Sequence, residues 1–81
     1  MVESKYLNFI KQEYPFRKTP VYEVQNKSGE RLGGIMFYPA WRKFVFNPAA
    51  DTLFDANCLS DIIIKLNDLT AEWRTSLKKE N

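Results

Sequence analysis

The chain has 81 residues, 44% of them hydrophobic and 15% aromatic, with 27% charged and a net charge of +2. That is too apolar for a disordered segment and long enough for one domain with one core, although so short a chain buries only about 60–65% of its unfolded surface. One cysteine excludes an internal disulfide and a zinc cluster, and no apolar run approaches the length of a membrane span.

Residues 3–14 place Tyr6, Leu7, Ile10 and Tyr14 at helical spacing, with Pro15 as the stop. The pattern predicts a short N-terminal helix. Residues 16–20 read as an extended linker. A strand over 21–26 follows from Val21-Tyr22-Glu23-Val24-Gln25, whose residues are β-branched or aromatic and alternate in polarity. Asn26-Lys27-Ser28-Gly29 suits a turn, because Asn bonds its own backbone and Gly29 takes positive φ cheaply.

Five of the twelve aromatic residues lie between positions 37 and 46, divided by Tyr38-Pro39-Ala40-Trp41. Pro39 presets a type I turn, so strands over 31–38 and 42–47 form a hairpin. Pairing Tyr38 with Trp41 sets Phe37 opposite Arg42 and Ile35 opposite Phe44. Ile35, Phe37, Phe44 and Phe46 then share the core face, while Met36, Tyr38, Trp41, Lys43 and Val45 share the other. Gly33-Gly34 inside the strand signals a bulge or a close approach by another element. The face assignment of Tyr22 and Val24 stays open, because a bulge at Gly29 would exchange them.

Thr52 and Asp55 are candidate caps for a helix over 55–75. Its apolar stripe is Leu59, Ile62, Ile63, Leu66, Leu69, Trp73 and Leu77, opposite Asp61, Lys65, Asp68, Glu72 and Lys79. Residues 76–81 read as a frayed tail. The fold class is therefore α+β in a single domain, ordered α-β-β-β-α: a three-stranded antiparallel meander under a long amphipathic C-terminal helix.

From the hairpin onward the chain resembles a group of short uncharacterised proteins of bacteriophages, prophages and other mobile elements. The resemblance rests on Leu32, Gly33, Ile35, Tyr38, Trp41, Arg42, Phe46 and Pro48, then Thr52, Phe54, Asp55, Cys58, Leu59, Asp61 and Ile62. Phe37 and Phe44 stand where the group favours Trp and Tyr. The likeness spans residues 21–69 and implies a mobile-element origin with a small accessory role.

Histidine is absent, which removes the commonest acid–base group and metal ligand. Cys58 falls in the first turn of the long helix, where the dipole favours thiolate, yet no imidazole can activate it. Asp51, Asp55 and Asp61 match no metal-loop spacing. The expectation is a non-catalytic protein without cofactor or metal. Its candidate partner-binding residues are Met36, Tyr38, Trp41, Arg42 and Lys43, a group of rings and cations of the kind that anchors protein interfaces; the structural alternative is that Trp41 and Tyr38 clamp the turn while Arg42 lies over a ring or pairs with Asp51 or Asp55. The expected partner is another protein or a second copy of the chain. Nucleic acid is the alternative: residues 1–48 carry +4 and residues 49–81 carry −2, below the density of a committed nucleic-acid binder. With no signal peptide at its N-terminus, the chain is expected in the cytoplasm.

Overall fold

A computed structural model describes residues 4–79. Four strands, β1 (Leu7–Gln12), β2 (Val21–Asn26), β3 (Arg31–Tyr38) and β4 (Lys43–Pro48), precede one helix, α1 (Ala56–Lys79). The strands form an antiparallel meander in the order β1-β2-β3-β4. The class is α+β as the patterning predicts. The expected N-terminal helix is instead the fourth strand of the sheet; Glu3, where that helix was to begin, lies outside the described residues.

The reason for the difference is visible in burial. Leu7 is 1% exposed, whereas Ile10 is 39% and Tyr14 is 51% exposed, so the side chains at helical spacing do not share an environment. Leu7 and Phe9 do, at a spacing of two, and both pack with the core. Along the β2 edge, Leu7 faces Asn26, Phe9 faces Val24 and Lys11 faces Tyr22. A six-residue strand there satisfies backbone groups of β2 that a helix could not reach.

The hairpin register differs from the expected one by two residues. Tyr38 faces Lys43, Phe37 faces Phe44, Ile35 faces Phe46 and Gly33 faces Pro48. The loop is therefore Pro39 to Arg42, with Trp41 and Arg42 N–H groups donating to the Tyr38 carbonyl at 3.2 and 2.9 Å. Arg42 turns the chain with φ 55°. Because strand faces alternate with period two, a shift of two leaves every face assignment intact. The bulge sits at Leu32, between the pairs Val24–Gly33 and Gln25–Arg31, which puts Tyr22 and Val24 on the core face together.

The core comprises Leu7, Val24, Leu32, Ile35 and Phe44 from the sheet with Ile62 and Leu69 from α1. The helix departs from its expected stripe. Leu59, Ile63 and Leu77 are exposed, while Lys65, expected on the polar side, is only 7% exposed. Its ammonium stands 4.5 Å from the Tyr22 ring centroid and 5.7 Å from that of Phe9, so two strand aromatics accept the cation as the helix settles on the sheet. Burial, and then Glu72, pushes the Tyr22 phenol up.

Asp55 caps α1, its carboxylate accepting from Cys58 N–H at 2.9 Å; Thr52 instead donates to the Ala49 carbonyl. The helix begins one residue after the expected start and runs through Lys79, so residues 76–79 are helical rather than frayed. Glu80 and Asn81 of the expected tail lie outside the described residues. The hydrogen bond from the Cys58 backbone holds the Asp55 carboxyl below its ordinary value. Its contribution to stability is complete above about pH 4 and disappears as pH falls through the lowered folded-state value. Asp55→Asn keeps a capping oxygen but removes the charge, and should flatten that part of the acid limb in thermal midpoints measured against pH.

Candidate functional site

The helix covers one face of the sheet. Among the described residues no element covers the other. Alternation puts Ile10, Gln12, Val21, Glu23, Gln25, Met36, Tyr38, Lys43 and Val45 on it. This open face has two unlike regions.

Around β2 and the start of β3 it is polar and internally satisfied. Arg31 pairs with Glu23 at 3.3 Å and lies across Gly34, and Glu23 also accepts from the Gln25 amide. Toward the hairpin tip it turns apolar, where Gln12 faces Val21 and Met36 faces Val45. Tyr38 comes next, and the Trp41 ring meets it edge to face at 4.8 Å between centroids. Trp41 is 64% exposed and Tyr38 43%, the largest rings on this face. Pro39 starts the loop in a preset conformation and the two N–H bonds to the Tyr38 carbonyl close it, so the ring pair sits on a defined turn.

Of the five residues expected at the site, Met36, Tyr38, Trp41 and Lys43 gather at this end of the open face. Arg42 does not join them. Its guanidinium lies 5.7 Å from the ring centroid of Trp73, on the helix side, where Trp73 in turn meets Phe37 at 4.6 Å. The positive φ at Arg42 sends its side chain to the opposite surface from Trp41. Val21 and Ile10 also belong to this face, although neither is among the residues expected there. Val21 could have been found by extending the hairpin alternation through β2, had the bulge been placed at Leu32 rather than Gly29.

Cys58 is half-buried against the core, and its thiol is pushed up by burial first and by the adjacent Asp55 next. Burial first, and the capping carboxylate next, thus work against the thiolate that a helix start would favour. Among the described residues no group of three or more potential metal ligands gathers, and Asp51, Asp55 and Asp61 do not form one. No helix among them is long and apolar enough to cross a membrane.

An uncharacterised 9.3 kDa protein of Acholeplasma phage L2 is 34% identical to the chain over 70 residues, spanning 85% of this chain and 90% of the phage protein. No protein-family model and no solved structure matches the chain.

Proposed function

This chain belongs to the family of the 9.3 kDa phage L2 protein, and we propose that it is a non-catalytic protein-binding module. Its working surface is the hairpin end of the open sheet face, and its site of action is the cytoplasm of the host. The observation that carries this reading is Trp41, 64% exposed yet held edge to face on Tyr38. A ring fixed by its neighbour loses little freedom on binding, and Trp and Tyr dominate the energetics of protein interfaces. Val21, Met36 and Val45 extend the apolar area beside the rings, and Lys43 supplies a cation at the rim.

Nucleic acid is the weaker fit. Stacked bases need cations along the phosphate path, but Arg42 turns to Trp73 and Arg31 is paired with Glu23. Lys43 remains as the cation beside the rings.

A Trp41→Ala, Met36→Ala double variant, shown to fold by circular dichroism, provides the test. Pull-downs from phage-infected host cells should recover a protein with the wild-type chain and lose it, by about tenfold or more, with the variant. Equal recovery of every partner by both chains would remove the proposal. A salt titration of oligonucleotide binding runs in parallel. Tight binding with a steep salt slope would favour the nucleic-acid reading instead.

A further inference from the structure

We propose that the outer edge of β1 pairs with the same edge of a second copy, antiparallel about a two-fold axis at Phe9, making one eight-stranded sheet. This does not rest on the use assigned to the Trp41 patch. β1 is an outer strand bonded to β2 alone, and its six residues, LNFIKQ, contain neither proline nor bulge. Of the devices that keep an edge unpaired, β1 carries one, the lysine at position 11, and pairing has to give it a partner. A groove of about 780 Å³ runs beside it under α1, walled by Leu7, Phe9, Tyr22 and Ile64, with Asp61, Asp68 and Lys65 on the helix side, the Lys65 ammonium being turned to the Tyr22 and Phe9 rings. Exposed apolar side chains flank the edge on both faces of the sheet: Ile10 at 39% on the open face, Ile64 at 52% on the helix side.

Charge selects a second copy as the occupant and fixes the register. In a two-fold antiparallel pair the facing positions have a constant sum, and a continuous face requires that sum to be even. Centring on Phe9 puts the second copy's Lys11 opposite Leu7 and its Glu13 at the level of Lys5. Asp61 accepts from the Ser4 hydroxyl at 2.5 Å, and the same Ser4 oxygen accepts from Leu7 N–H at 2.9 Å. The Asp61 carboxylate thus stands one hydroxyl away from the Leu7 backbone, and pairing in this register transfers Leu7 N–H from Ser4 to the second copy's Lys11 carbonyl and releases Asp61 for its ammonium. A paired strand lies about 4.8 Å from β1, which puts a lysine side chain opposite Leu7 within reach of Asp61.

The neighbouring registers fail on the same criterion. Centring on Asn8 opposes Lys5 to Lys11, and centring on Ile10 brings Glu13 to Leu7, beside Asp61. Each sets like charges together. In the Phe9 register both opposite-charge pairs occur twice by symmetry, and the two Phe9 rings face each other on the groove side.

Sedimentation velocity of the full chain from the micromolar range to about 1 mM tests the pairing. The wild type should dimerise reversibly. Lys11→Asp and Asp61→Lys should each weaken self-association by about tenfold or more, because two attractive pairs become repulsive. An equimolar mixture of the two variants should associate about as well as the wild type, since the heterodimer restores both pairs. A wild-type monomer throughout would leave the edge to an extended segment of some other protein and overturn the proposal. So would a dimer that neither reversal weakens, or a mixture no tighter than its components. Should Asp61→Lys fail to fold, oxidative cross-linking in a Cys58→Ser background gives a second readout. Asn8→Cys and Ile10→Cys face each other across this seam and should cross-link as a mixed pair faster than either variant with itself; equal rates would contradict the register.

Discussion

Phe44→Ala is expected to lower unfolding stability by about 3–5 kcal/mol, close to the whole stability of a domain this small. Phe44 is 4% exposed and lies where sheet and helix meet, in one core with Ile62 and Leu69. Its ring meets Phe37 edge to face at 5.5 Å, and its N–H donates to the Thr70 hydroxyl of α1 at 3.1 Å. Truncation leaves the hydrogen bond in place but opens a cavity between β4 and the helix, which neighbouring Phe37 cannot fill without leaving Trp73. Urea unfolding followed by circular dichroism should show a variant largely unfolded in buffer. Phe44→Leu, which keeps most of the volume, should remain folded with a reduced midpoint.

Gly33→Ala is expected to cost about 2–4 kcal/mol, and the adjacent Gly34→Ala almost nothing. A Cβ at Gly33 would lie 2.5 Å from the Asn47 carbonyl oxygen and 2.8 and 2.9 Å from two carbons of the Phe46 ring, at a backbone φ of 157°. The carbonyl belongs to a paired strand and cannot retreat without opening the β3–β4 ladder. At Gly34 the nearest atoms are the Tyr22 carbonyl oxygen at 3.6 Å and the Arg31 guanidinium at 3.8 Å, both ordinary contacts. Thermal melts of the two alanine variants compare neighbouring residues of one strand, so differences in helix or turn propensity do not enter. Equal melting temperatures would mean that the hairpin packs less closely than described.

These two positions also show which parts of the fold the sequence expresses. Gly33-Gly34 reads as a bulge or a close approach, of which Gly33 makes the close approach and Leu32 beside it the bulge, and Ile35, Phe37, Phe44 and Phe46 read as one face, because these follow from local chemistry and strand parity. The two-residue error at the turn did no harm to that assignment. The N-terminal segment is different. Tyr6, Leu7, Ile10 and Tyr14 satisfy a helical period, while Leu7 and Phe9 satisfy a strand period, and only the empty edge of β2 decides between them. Nothing within residues 3–14 reports that edge. Lys65 fails for the same reason: its place inside depends on Phe9 and Tyr22, two rings more than 40 positions away in the chain. At the candidate site the register expected from pairing Tyr38 with Trp41 fails by two residues, whereas the clamp of their rings on the turn and an Arg42 laid over a ring are legible; that the ring is Trp73 is not. That contact joins the loop to a helix whose position depends on the whole core.

The bare sheet face and the open β1 edge both depend on the first segment being a strand beside β2 rather than a helix laid across the sheet. Proton–proton contacts and backbone chemical shifts of residues 5–14, measured by solution NMR on the intact chain, test this most directly. Extended-strand shifts are expected over Leu7–Gln12, with cross-strand contacts from Phe9 to Val24 and from Lys11 to Tyr22. Helical shifts over the same residues, with contacts from Leu7 or Ile10 to Met36 or Val45, would contradict it.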